Sequence, residues 1–469
     1  MSSWDRRSAG RLRKLQDELV RAQVRALAGG SAYWKQRFAA VGRSASSISG
    51  AAALESLPAV GERDVSANGD AAAMASLVLH GGERHFALHT SGPQLRRAIR
   101  LRAFRSSAYQ RIVDGETKPT TYAWSGLSFR FPLAYTRGDL DVVARAGARM
   151  WSVLGLTEGD ALVSALPVAA TVEHTALQYA ALAAGTPSLF PGAALEAVVA
   201  AARLAPPTVV AVGAHAAPDV VAALAEADAL DRLTTLLLVG APSDEERGAA
   251  AQALADAGRT ATVLAVHAPS GARVLWAECR QSTGATGLHT YPDLDLVQIV
   301  DPETGEPATG EPATGEAGEL VLTSLGMRGS ALMRWRTGDL VSRVDASPCP
   351  SCGRTVPRVL GTRRAALVVP TDTGRALDLR AVAGALSGRA DLQDWRVVVG
   401  GRDRDGRGQV VVHLAPAGSV EEPGEVAVGA AADIRSLAGM LPSQLVVGDV
   451  EDLASIDATA LTARVLLRR

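Results

Sequence analysis

The sequence predicts an α/β protein of two domains, a large α/β domain over residues 1–361 and a small α+β domain over residues 362–469. Three observations predict it. The chain has 469 residues, more than one ordinary core organises. Between Asp160 and Ala268, short runs rich in Val, Leu and Thr alternate with Ala-rich helical stretches, the pattern of βαβ units on a parallel sheet. After Gly361 the texture changes to Val-rich runs (WRVVVGG, GQVVVHLAPAG) and two helical segments, a separate small unit.

Composition narrows the function classes. Apolar residues make up 47% and charged residues 21%, the globular range. A formal net charge of -1 argues against nucleic-acid and membrane-surface roles. Three cysteines are too few for a disulfide framework in a chain of this length. The N-terminus is a charged helix former rather than a signal peptide, and no uncharged apolar run reaches the roughly 18 residues of a membrane span, so a soluble, cytoplasmic protein is expected. The only lysines are Lys14, Lys35 and Lys118, which excludes any mechanism that needs a lysine beyond residue 118.

Taken in order, residues 4–28 predict an amphipathic helix, with Leu12, Leu15, Leu19, Val20 and Val24 at helical spacing. The stretch TSGPQLRRAIRLRAFR predicts a basic helix carrying five arginines, read as a solvated face. A capped helix follows Tyr135, with Thr136 as N-cap and Asp139 in the first turn. Then come strand DALVSALPV, helix EHTALQYAALAAG, strand TPSLF, helix AALEAVVAAARLA and strand TVVAVG. Helix DVVAALAEAD, strand TTLLLVG, helix DEERGAAAQALADAG and strand ATVLAVHA complete a doubly wound subdomain.

The stretch from His289 to Gly361 carries the most specific signals. VQIVD and ELVLTSL read as strands. The loop between them contains EPATG twice in succession (306–310 and 311–315), a duplication a surface loop tolerates at roughly 0.6 kcal/mol per doubling of length. Arg336-Thr337-Gly338-Asp339 reads as a turn ending on a carboxylate, and Cys349-Pro350-Ser351-Cys352-Gly353 as a metal knuckle in shape.

An apolar strand ending in D-P-E-T-G-E-P, then G-E-L-V-L-T and R-T-G-D-L, resembles the adenylate-forming superfamily. The GLHTYPDLD segment and C-P-S-C-G-R-T-V-P-R narrow the resemblance to its phenylacetate-CoA ligase-like branch. It is strong from about residue 276 to 361, fair from 134 to 190 and weak in the last hundred residues. It implies a large, multi-subdomain adenylating N-terminal domain, a small C-terminal lid hinged after Gly361, and AMP-forming joining of a carboxylic acid to coenzyme A. ATP with Mg2+, a carboxylic acid and coenzyme A are the ligands implied if the chain is active. By the same resemblance, Asp339 accepts both ribose hydroxyls of the nucleotide, which suits a carboxylate with two acceptor oxygens. Ser125, Gly126 and Ser128 stand where the phosphate loop belongs, and His174, Gln178 and Tyr179 lie on the helix that faces the acyl pocket. Cys279, His289, Cys349 and Cys352 would supply a closed Cys3His set suited to structural zinc, which members of this branch hold in this region. The alternative for those four is three buried thiols and a surface histidine.

Four departures weigh against adenylation. Leu127, Phe129 and Phe131 interrupt the phosphate loop, where glycine freedom is needed, and the two rings are candidates to plug the phosphate space. His267-Ala268-Pro269-Ser270 replaces the family's adenine and magnesium segment and offers no acid. Gly361-Thr362-Arg363-Arg364-Ala365 lacks the family's hinge acid. The C-terminus lacks the family's lysine, leaving Arg464 or Arg468, and a guanidinium does not replace an ammonium. Removing one charge-stabilising group typically costs about 10²–10³ in rate, so several losses leave little activity. The expectation is a ligase-like protein with lost or much reduced adenylation and a binding or assembly role, with a protein partner or a homodimer. The alternative is an active ATP-dependent acid–CoA ligase with an atypical site.

Overall fold

The computed structural model describes residues 3–65, 70–83, 86–87, 90, 92–126, 131–280, 287–301, 305–307, 318–364, 368–370, 376–386, 389–402, 408–418, 422–454, 456, 459–460 and 465–467. It is a mixed α/β chain in two compact units, Met1–Arg363 and Arg364–Arg469. The duplicated EPATG segment lies largely outside the described residues, as do Ser128, Phe129, Arg464 and Arg468.

The first unit is built on a nine-stranded sheet. Its parallel part runs through Ser188–Leu189, Leu162–Ser164, Val209–Gly213, Thr235–Val239 and Thr262–His267. Trp276–Ala277, Leu288–His289, Arg358–Leu360 and Arg343–Asp345 continue it antiparallel. The predicted alternation therefore describes the parallel half, each strand followed by a helix, as crossover connections require. The two-residue period of the strands feeds two cores. Val209, Ala211, Leu237 and Val239 point into one, while Val210, Val212, Leu236 and Leu238 point into the other. A sheet apolar on both faces and covered on both is the doubly wound arrangement.

The capped helix is Arg137–Leu154. Thr136 and Asp139 form a reciprocal capping box, with the Asp139 amide donating to Thr136 Oγ1 at 3.1 Å and the Thr136 amide to Asp139 Oδ2 at 3.0 Å. Asp139 does more than the sequence indicated, since it also accepts the amides of Arg328 (2.9 Å) and Gly329 (2.7 Å), fixing a distant loop on the helix N-terminus. Gly147 lets this helix meet Val172–Ala184 closely, because a Cβ there would collide with the backbone of Ala180.

A second, antiparallel sheet joins Asp295–Val300, Gly318–Ser324 and Trp335–Val341. It corrects the reading of Arg336–Asp339 as a turn. These residues lie inside the last strand, whose side chains alternate buried and half-buried. Its register shifts opposite Glu319–Val321, and Gly338 sits at φ +72°. A bulge that needs a left-handed glycine carries the same local signal as a turn.

The amphipathic N-terminal helix spans Ala9–Gly30, preceded by the 3-10 turn Ser3–Arg6. The basic helix spans Gly92–Phe104, and Arg96, Arg97, Arg100 and Arg102 are exposed on it. The second unit has a five-stranded sheet around Leu392–Arg402 and Gly408–Pro416, covered by Leu379–Leu386 and Pro423–Ala438 with its own apolar core. Among the described residues, no helix is long and apolar enough to cross a membrane.

Candidate functional site

Two clusters of chemically capable side chains lie in the first unit. One centres on Asp339, the other on the Cys349–Cys352 knuckle.

His267 is the last residue of the parallel strand Thr262–His267, so it stands at the carboxyl end of the sheet, where ligands of open α/β sheets bind. Asp339 approaches from the second sheet. Its Oδ2 lies 2.7 Å from His267 Nε2, and both side chains are buried, each 1 % exposed. The Asp339 amide donates to Thr337 Oγ1 (3.1 Å), which in turn donates to the Leu320 carbonyl (2.8 Å). The carboxylate that the resemblance assigns to a ribose is thus held by a side chain of its own chain.

The neighbouring groups are engaged in the same way. Ser125 Oγ accepts the Gly271 amide at 2.9 Å. Ser270 Oγ donates to Glu62 Oε1 at 3.1 Å and accepts from Trp335 Nε1 at 3.4 Å. Gly271 sits at φ +84°, and a Cβ there would meet Leu332 and Trp335. Phe131 is fully buried, its ring centroid 5.1 Å from that of Trp335. Gly126 follows Ser125 at φ +114°. Glu278, the acid nearest in sequence to the altered magnesium segment, forms a paired hydrogen bond with Arg247 (2.7 and 3.0 Å) and accepts the Ala265 amide (2.8 Å).

The acyl-pocket residues lie on Val172–Ala184 but do not converge. His174 is half-buried and packs edge-on to Phe190 at 5.3 Å, with burial lowering its pKa. Gln178 is exposed, and Tyr179 packs on the main core.

The second cluster does converge. The ligand atoms of Cys279, His289, Cys349 and Cys352 all lie within 4.8 Å of one another. Cys279 follows the Trp276–Ala277 strand, and His289 ends Leu288–His289, paired with Ala277 and Arg358. The knuckle closes through the Gly353 amide on the Cys349 carbonyl (2.8 Å), with Gly353 at φ +68°. Cys279 and Cys349 sulfurs are 4.0 Å apart, and His289 Nε2 lies 3.1 Å from Cys352 Sγ. A tetrahedral ion with bonds of about 2.3 Å to sulfur separates its sulfur ligands by roughly 3.8 Å, so the donor set fits such an ion. Burial, then the charges of Arg354 and Arg358, push the His289 pKa down to about 3, keeping the ring neutral. Burial and the neighbouring thiols Cys352 and Cys349 push Cys279 up to about 12.

The contact that sequence reasoning missed is His267 with Asp339. The two are 72 positions apart, and the only local signal was a histidine where the resemblance expects an aromatic segment ending in an acid.

Taken together, the two sheets and the small unit have the fold of solved acyl-CoA ligases. The chain superposes on the solved structure of 2-hydroxyisobutyryl-CoA ligase in its postadenylation state with a TM-score of 0.67, at 15% identity, over 98% of this chain and 90% of that one. The same ligase in its thioesterification state, with an acyl-AMP and CoA, gives 0.59 at 16% identity over 98% and 91%. ATP-bound MatB from Rhodopseudomonas palustris gives 0.52 at 14% identity over 76% and 67%. No family model and no curated protein sequence matches the chain.

Proposed function

We propose that this is a phenylacetate-CoA ligase-like protein of the AMP-forming acid–CoA ligase family that has lost most or all adenylation and serves a binding or assembly role. One observation carries the reading: Asp339, the residue that would receive the ribose, is buried and hydrogen-bonded to His267 at 2.7 Å. A nucleotide would have to break that contact and leave a buried imidazole without its acceptor, a loss of about 1–3 kcal/mol before any binding begins. The internal pairing of Ser125, Ser270 and Glu278 supports the same reading.

Zinc at Cys279, His289, Cys349 and Cys352 belongs to this proposal as a structural element, tying the strand that ends at His289 to the knuckle loop. ATP with Mg2+, coenzyme A and a carboxylic acid enter only if adenylation survives. A cytoplasmic location and a protein partner or second copy complete the reading.

The competing reading, an active ligase with an atypical site, has the retained Asp339 strand in its favour. Calorimetry of ATP and Mg2+ on folded, zinc-replete protein decides between them. No heat at millimolar ATP supports loss of the site. Micromolar binding sinks the proposal and calls for a screen of carboxylic acids by pyrophosphate release.

A further inference from the structure

Outside both clusters, a third place in the first unit has charge without a partner. Arg334 precedes the Trp335–Val341 strand and is 1 % exposed. Its Nε and Nη1 have no hydrogen-bond partner. The acids whose field reaches it are Glu55 and Glu306, both exposed, and neither bonds to those two nitrogens. Burial pulls its pKa down from the ordinary arginine value.

The backbone holds this arrangement deliberately in place. Arg334 sits at φ +45°, one of only two non-glycine residues in the left-handed region among the described residues. Its amide donates to Thr323 Oγ1 (2.9 Å), and its carbonyl accepts the Val60 amide (2.8 Å). A non-glycine residue in that region persists only where its surroundings over-determine it, which is a mark of ligand clamps.

Arg334 lines a cleft with Trp34, Arg37, Phe38, Leu57 and Met333, of volume about 10 Å3. That is close to the smallest space that holds one water-sized particle. Trp34 and Arg37 line the same cleft, and Trp34 Nε1 and Arg37 Nε are also buried without partners. Four side-chain nitrogens, on three residues that line one small space and of which two are cationic, therefore lack an acceptor. Indole and guanidinium nitrogens donate and never accept, and the other side chains named bring no oxygen. A water would have only backbone carbonyls for its two hydrogens and would leave the buried guanidinium charge uncompensated. A monovalent anion accepts from all sides and offsets the buried charge.

We propose that this cleft binds a small monovalent anion of halide size, held by Arg334, Arg37 and the Trp34 indole. The site lies apart from Asp339 and from the cysteines, and the proposal does not depend on the loss of adenylation. The first test is diffraction from wild-type crystals soaked in sodium bromide, with an anomalous peak expected between Arg334 and Trp34. The second is thermal unfolding in sodium chloride against sodium gluconate at equal ionic strength. Chloride is expected to raise the midpoint saturably by about 3–5 °C, and Arg334→Met to lose that increment. No bromide peak in the cleft, or an unchanged chloride increment in Arg334→Met, overturns the proposal. Should Arg334→Met fail to fold, the wild-type bromide peak decides alone.

Discussion

The Asp339 crevice and the cysteine cluster differ in where their donors and acceptors point. Around Asp339, most groups that could serve a ligand serve a neighbour instead: His267 Nε2 on Asp339, the Gly271 amide on Ser125, Ser270 on Glu62, Arg247 on Glu278, with His267 Nδ1 left unpartnered. In the cysteine cluster, three sulfurs and one imidazole nitrogen lie within 4.8 Å of one another, with an apolar core around them. Buried polar groups must be satisfied, so satisfaction from within marks a space a ligand need not fill. Convergence without satisfaction marks one where something is needed. The Arg334 cleft belongs with the second kind.

The largest expected effect tests the convergent site. Purified protein should carry one zinc per chain by elemental analysis. Cys352→Ser or chelation should remove it and lower the unfolding midpoint by about 10 °C. Metal-free protein with an unchanged midpoint would erase the contrast between the two regions.

Next comes a buried acid whose carboxyl accepts a hydrogen bond from an indole. Asp295 accepts from Trp276 Nε1 at 2.9 Å, and burial raises its pKa to about 7. A raised acid stays protonated in the folded chain while the unfolded chain ionises, so its contribution destabilises as pH climbs from about 4 to 7. The destabilisation is complete above 7 and is at most about 4 kcal/mol. Asp295→Asn should therefore gain on wild type at pH 8, keep about a third of that advantage at pH 5 and lose it by about pH 4, measured by urea unfolding across that range. An advantage independent of pH would refute the titration.

A smaller effect probes the self-satisfied crevice. His267→Ala and Asp339→Ala should each lose about 1–3 kcal/mol. The double variant should lose less than their sum, with a coupling of about 0.5–3 kcal/mol. Strict additivity in denaturant titrations would show that the pair is not a unit. The smallest effect expected is Thr136→Ala, about 1 kcal/mol for the loss of one cap acceptor, since Asp139 keeps its bonds to Arg328 and Gly329.

Legibility followed sequence distance. Thr136 as N-cap with Asp139 in the first turn spans three residues and was read directly, while the reciprocal bond of Asp139 to the Thr136 amide and its hold on Arg328 and Gly329 were not. The cysteine and histidine set was legible because cysteine is scarce here, leaving few ways to assemble four ligands. Arg336–Asp339 was misread because a left-handed Gly338 serves a turn and a bulge equally well. Gln178 and His174 share helical spacing, yet only the tertiary packing placed one in solvent and the other on Phe190.

What the sequence by itself determined is the order of strands and helices, the change of texture after Gly361 and the residue types able to hold a metal. Period, capping and composition are local, so local reading recovers them. What only the tertiary structure decided is whether a polar group met a partner. Arg334 lies about 300 positions from Trp34 and Arg37, His267 lies 72 from Asp339, and no pattern along the sequence distinguishes the unpartnered set from the paired one. Hydrogen-bond satisfaction in the interior depends on what the fold brings within about 3 Å, and that is fixed only when the sheets close on each other.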